Sequence, residues 1–155
     1  MTNPLLYVLR RMALRRNGSH LPHGLRPLDS VGSVAILFSA EGEENEAIRR
    51  EAVKQFAGKS LRLLCPSKQD VDILGTLKKK YRGDAWSDEL FISLIEPSAS
   101  FLSEYEARCS KAVFKVGRSR IAGDVFDLVL SDPEGESKSQ YEALLEIVKY
   151  LLIIR

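Results

Sequence analysis

LFISLIEPSASFLSEYEARCSKAVFKVG, residues 90–117, is the stretch that decides how this chain is read. Leu90 to Ile95 is a short, mostly apolar run, the pattern of a strand covered on both faces. Glu96-Pro97 ends it. Ser98 and Ser100 stand where helix N-caps belong, because a hydroxyl accepts a free backbone N–H of the first turn. Phe101, Leu102, Tyr105 and Cys109 then recur near helical spacing, and Ser110 closes the helix. Ala112 to Val116 reads as a second strand. The unit is strand, helix, strand, and it predicts an α/β sheet with parallel neighbours.

Working back towards the N-terminus, Ser60 to Leu64 reads as a strand ended by Pro66, and Val34 to Phe38 as the first strand. Between them a helix is expected from Glu44 to Phe56, with Ile48, Ala52 and Phe56 inward. Glu43, Glu44 and Glu46 suit its positive end, Lys54 and Lys59 its negative end, and Gly58 its stop. A weaker helix is expected from Asp70 to Lys80, interrupted by Gly75. Towards the C-terminus, Val125 to Leu130 reads as the last strand. The link Gly117 to Asp124 is short for a helical crossover, so a hairpin return is expected. A final helix spans about Ser139 to Ile153, with Tyr141, Leu144, Leu145, Val148 and Leu152 as its buried stripe.

The expected fold class is therefore α/β: a Rossmann-like, mostly parallel sheet of about five strands with helices on both faces. A basic amphipathic helix precedes it. That helix starts at Pro4 and runs to about Arg16, with Leu5, Leu6, Leu9, Met12 and Ala13 on one side and Tyr7, Arg10 and Arg11 on the other. Residues 1–30 are read as helix and linker, and residues 31–155 as a single α/β domain.

The chain has 155 residues and a formal net charge of +2, too small to name a partner, but the charge is unevenly placed. Residues 1–30 hold five arginines (Arg10, Arg11, Arg15, Arg16, Arg26) against Asp29; the remainder holds 18 basic and 20 acidic groups. No apolar run approaches the ~20 residues of a membrane span. The N-terminal apolar residues precede the arginines, the reverse of a secretory leader, so a cytoplasmic location is expected. Cys65 and Cys109 are the only cysteines and form no C-x-x-C, so they read as buried, inert thiols.

Two resemblances follow from these residues. The basic N-terminal helix, SVAILF (33–38), SKAVFKVG (110–117) and FDLVL (126–130) before a C-terminal helix resemble a bacterial family of small α/β proteins known only as a domain of unknown function. The likeness spans most of the chain and implies a fold without an activity. Where members carry an acidic and a small polar residue after the central strand, this chain has Glu96-Pro97-Ser98. The segment Cys109 to Gly117 is also similar to the N-terminal half of heptosyltransferase-type glycosyltransferases. Their second, nucleotide-sugar-binding half has no counterpart within these 155 residues.

Open parallel sheets bind ligands at the C-terminal ends of their strands. Those ends offer Ser39, Cys65, Glu96, Ser98 and Ser131; Glu96 is the best catalytic candidate, and Ser39, Ser98 and Ser131 are the ligand-binding candidates. Capping or an ion pair also explains Glu96. No G-x-G-x-x-G or G-K-[ST] is present. Glu41, Glu43, Glu44 and Glu46 crowd one helix start, and Asp132, Glu134 and Glu136 another, where they oppose a phosphate. No nucleotide cofactor is expected. His20 and His23 read as linker histidines rather than metal ligands, because a structural site needs about four donors. Asp84, Asp88 and Glu89 around Trp86 read as a solvated loop before they read as a sugar-cleaving pair. Lys111, Lys115, Arg118 and Arg120, together with Arg10, Arg11, Arg15 and Arg16, form the candidate basic surface.

The leading expectation is a non-enzymatic interaction or accessory module, partnered by an unknown protein or by itself through the N-terminal helix. The alternatives are a small-ligand-binding protein or enzyme at the strand-end crevice near Glu96, and a weak binder of RNA or an anionic membrane surface through the N-terminal arm.

Overall fold

A computed structural model describes residues 3–41, 44–96, 100–132, 135 and 137–154. Five parallel strands form one sheet: β1 Ser33–Leu37, β2 Ser60–Leu64, β3 Leu90–Ser93, β4 Phe114–Gly117 and β5 Leu128–Val129. Their order is β2-β1-β3-β4-β5. The register is set by Ser33 beside Ser60, Val34 beside Leu90, and Leu90 beside Phe114. The helices are α1 Pro4–Asn17, α2 Asn45–Gln55, α3 Lys79–Arg82, α4 Phe101–Cys109 and α5 Gln140–Leu151. This is the Rossmann-like α/β fold that the central stretch implied.

Period-2 alternation sorts the strand side chains between two cores. Val34, Ile36, Leu90, Ile92, Phe114 and Val116 point to one face and meet Ile48 and Ala52 of α2 and Leu144, Ile147 and Val148 of α5. Ala35, Leu37 and Phe91 point to the other and meet Leu102 and Ala107 of α4, with Leu77, Val125 and Phe126. The central strands are buried on both faces, which explains their near-continuous apolar sequence. The cap expected at Ser100 forms, and a second forms at Ser139. Ser100 accepts from Leu102 N at α4, and Ser139 with Glu142 closes a capping box at α5.

The last strand corrects the expected hairpin. β5 runs parallel to β4, with Val116 beside Leu128 and Gly117 beside Val129. Residues 118–127 cross the sheet without a helix, turning at Gly123 (φ 93°) and Asp124 (φ 50°). Val125 and Phe126 pack where a crossover helix would. The Phe126 ring lies on Gly117, and a Cβ there would come within 2.5 Å of it. A glycine-sized gap thus lets a link of ten residues make the parallel return.

The helix expected over 70–80 is also corrected. Val71 and Leu77 form an antiparallel bridge around a turn. Asp72 Oδ1 accepts from Leu74 N and Thr76 N, and Oδ2 from Thr76 Oγ1, while Gly75 takes φ 87°. A carboxylate that captures its own backbone N–H groups competes directly with the helix ladder. Only Lys79–Arg82 stays helical.

The N-terminal arm lies along the domain rather than standing off it. Arg10 Nε donates to Leu74 O, and its guanidinium stacks 4.6 Å from the centre of the Phe101 ring. Asn17 donates to Tyr105 Oη. The linker continues the attachment, with Ser19 N on Arg108 O, Gly24 N on Val113 O, and His23 Nδ1 2.7 Å from Asp127 Oδ1.

Candidate functional site

The C-terminal strand ends form a crevice of about 740 Å³ whose lining includes Ser39, Glu41, Asp72, Glu96, Arg118 and Gln140. It lies where the strand order changes direction between β1 and β3. Of the residues expected to make a ligand site, it unites Ser39 and Glu96. Ser131 lies instead in a separate hollow with Arg120. Ser98, Glu43, Glu134 and Glu136 lie outside the described residues.

Several polar groups that line the crevice bond to one another or to the backbone beside it. Ser39 N donates to Gln140 Oε1, Gln140 Nε2 donates back to Ser39 O, and Ser39 Oγ accepts from Glu41 N. Glu44, expected to load the start of α2, accepts from Ser139 Oγ. Arg118 corrects its assignment to the basic surface. It is buried, because it ties three strand-end segments together: it donates to Leu94 O, to Lys138 O and, through two bonds, to Asp132. Burial alone would raise the Asp132 carboxyl. The Lys138 N–H and the Arg118 guanidinium reverse this and hold it below the usual carboxylate range. Glu96 Oε1 is 3.9 Å from Arg118 Nε, a loose ion pair that fits its structural reading. Glu41, Asp72 and Glu96 leave this crevice poorly suited to phosphate.

The loop around Trp86 is likewise structural. Arg62 pairs with Asp88 at 2.9 Å, and Glu89 accepts from Gly32 N. Trp86 Nε1 donates to Glu106, which also takes a two-pronged contact from Arg82. Among the described residues no group of three or more His, Cys, Asp or Glu side chains could hold a metal ion. Burial pushes the Cys109 thiol up to about 12 and raises Cys65 as well, so neither is poised as a thiolate.

The second candidate is the outer side of α1. The sequence placed Leu5, Leu9 and Met12 together on a face that ought to be covered. On this structure they face outwards, with exposures of 65%, 37% and 59%. Val8 joins them at 50%. The inward side is formed instead by Leu6, Arg10, Ala13 and Leu14, all half-buried. Arg11, Arg15 and Arg16 are exposed and flank the apolar stripe, and none of them forms a salt bridge among the described residues. Two more large apolar side chains, Leu21 and Leu25, stand exposed in the linker.

Between α1, the linker and the end of α4 runs a groove of about 820 Å³. Its cationic lining is Arg11, Arg15, Arg108 and Lys115, with His20 and His23 beside them, and no described lining residue is acidic. Lys115 is the second correction to the proposed basic surface. It is only 2% exposed, because its Nζ turns inward from β4 to Ala107 O at the end of α4. Burial lowers its amine to about 8. Lys111 and Arg120 are exposed, as expected, but Arg120 lines the hollow with Ser131 rather than this groove. Arg108 was not foreseen. Its signal was its spacing of four from Glu104, to which Nε donates at 2.8 Å. No helix among the described residues is long and apolar enough to cross a membrane. Compared with known proteins, the chain matches no family model, no curated protein and no solved structure.

Proposed function

We propose that this protein is a non-enzymatic docking module that rests reversibly on an anionic lipid surface through the outer side of α1. One observation carries the reading: the stripe Leu5, Val8, Leu9 and Met12 is exposed on a helix already fastened to its domain by Arg10 and Asn17. Charge selects the occupant. No acidic residue lies between residues 3 and 28, so two copies meeting face to face would oppose arginines with arginines. An anionic surface takes both the apolar stripe and its basic flanks. Leu21 and Leu25 spread further apolar groups through the linker, a pattern that suits a fluid surface better than a fixed protein groove. Each arginine near such a surface contributes about 1 kcal/mol, and each half-exposed apolar side chain about 1 kcal/mol on insertion. The sum supports weak, salt-sensitive attachment.

The test is co-sedimentation of the full chain with phosphatidylcholine vesicles, with and without phosphatidylglycerol. Binding is expected only with the anionic lipid, is expected to fall with salt, and is expected to drop at least tenfold in Leu9→Glu and in the pair Arg15→Glu, Arg16→Glu. Equal binding to neutral vesicles, retention on RNA without vesicle binding, or a salt-stable dimer would overturn the reading.

A further inference from the structure

Among the described residues, the groove beneath α1 differs from four other hollows, one of them holding Asp124 and Asp127, in one respect. The strand-end crevice mixes Glu41, Asp72 and Glu96 with Lys68 and Arg118. The hollow on the other flank of α1 includes Asp72, and that beside Phe101 includes Glu104. The groove of about 820 Å³ gathers Arg11, Arg15, Arg108 and Lys115 with no described acidic lining residue. It draws them from three segments of chain, namely α1, the end of α4 and β4.

The burial of Lys115 supplies a second observation. An ammonium has three N–H donors. Here it is buried, and the one hydrogen-bond acceptor it has among the described residues is Ala107 O. A buried amine is costly to keep charged without partners. The nearby carboxylate, Asp127, is directed elsewhere: Oδ2 accepts from the Lys115 backbone N, and Oδ1 pairs with His23 Nδ1. Arg108 is held rigidly by Glu104 and by Ala122 O, so its position at the groove is fixed in advance. Arg11 and Arg15, by contrast, are exposed at the groove's outer edge, Arg11 with its Nε on Tyr7 Oη.

We propose that this groove is a phosphate-binding site, and that on a membrane the phosphate it takes is that of an anionic lipid headgroup. A group with several negatively charged oxygens can meet a fixed arginine, a buried ammonium and two exposed arginines at once, whereas a single carboxylate engages fewer of them. Val8, Met12 and Val125 line the same groove and give the glycerol and first acyl carbons an apolar wall. The lipid half of the proposal rests on the docking reading above; the phosphate half does not.

The experiment has two arms on the full-length chain. In the first, inorganic phosphate and glycerol phosphate are titrated at constant ionic strength and followed by amide NMR, with acetate as the control anion. Saturable shifts are expected at Gly18, Ser19, Arg108 and Gly123, with at least tenfold weaker binding in Lys115→Met and in Arg108→Gln; the second variant serves if the first does not fold. In the second arm, vesicles doped with phosphatidic acid are compared with vesicles carrying equal charge as fatty-acid carboxylate. The wild-type chain is expected to prefer phosphatidic acid, and Lys115→Met to lose that preference while keeping residual binding. No saturable phosphate binding, or unchanged binding in both variants, would overturn the groove proposal whatever the vesicles show. Phosphate binding without vesicle binding would retain the groove, assign it free phosphate and remove the docking reading.

Discussion

The two faces of the sheet are built from different materials. Beneath α2 and α5 the centre is aliphatic and aromatic: Ile36, Ile92, Phe114 and Val116 meet Ile48, Leu144 and Ile147. Among the described residues a buried charge, Arg118, comes in at the strand ends. Beneath α4 the apolar layer is thinner and polar groups are buried with it. Arg82 pairs with Glu106 at 2.7 Å and stacks 3.9 Å from the centre of the Trp86 ring. Ser93 and Ser103 share a bond and both reach Ile95 O. Lys115 closes the same side against Ala107 O. A dry layer tolerates exchange of one apolar side chain for another of similar volume. A layer held by directional, charged contacts fixes one arrangement, and α1 with its groove is mounted on that side.

The sharpest way to break this contrast is Glu106→Ala, which leaves Arg82 buried without its counter-charge. A loss of about 3–5 kcal/mol in urea unfolding is expected. Replacing both partners, as Arg82→Met with Glu106→Leu, is expected to recover most of that loss, since a buried pair costs desolvation that apolar groups do not. On the dry face Leu144→Ala is expected to cost about 2–5 kcal/mol by leaving a cavity, with no dependence on a partner residue. Gly117→Ala probes the α4 side sterically. Its methyl meets the Phe126 ring, and a loss of about 1–3 kcal/mol is expected, recovered in part by Phe126→Leu.

The smallest effect is a pH dependence. The Lys115 amine titrates near 8 in the fold and near its ordinary value when unfolded. Between those values the unfolded chain holds a proton that the folded chain has released, so Lys115 makes stability rise with pH. The Cys109 thiol, pushed up to about 12, acts in the opposite sense once pH passes its ordinary value near 9. A rise of about 1 kcal/mol between pH 8 and 9 is therefore expected from chemical denaturation, and its absence in Lys115→Met. A flat profile in the wild-type chain would show that Lys115 is not buried as described.

Much of this was legible in the residues. The run 90–117 gave β3, α4 and β4, and alternation along 112–116 placed Lys115 opposite Phe114 and Val116. What alternation cannot supply is whether a face is covered, and so Lys115 read as wet when α4 in fact lies over it. Arg118 was misread for a related reason: its acceptors, Leu94 O, Asp132 and Lys138 O, come from two loops, one after β3 and one between β5 and α5, that only the folded sheet brings together. At 70–80 the apolar spacing suggested a helix, and one side chain, Asp72, overruled it. On α1 the composition identified the amphipathic helix but not which side the domain would take. Arg10 and Asn17 found partners on Leu74 and Tyr105, and the domain took the side of Leu6, Arg10, Ala13 and Leu14, leaving Leu5, Val8, Leu9 and Met12 outward. The groove was legible in part, since the basic surface read from the sequence included Arg11, Arg15 and Lys115; Arg108 joins them only in space.

The helix-free link between β4 and β5 has a kinetic consequence. Pairing β1 with β3 joins residues more than fifty positions apart, so a long loop must close before any ladder bond forms. Pairing β4 with β5 closes a loop of ten residues, a cheap and local event. Yet β5 contributes two residues to the ladder, and its hold depends on the Phe126 ring finding the bare backbone of Gly117. The edge of the sheet should therefore open and close many times while the centre stays shut. Its amides, at Leu128 and Val129, should exchange with water well ahead of those at Ile36 and Ile92.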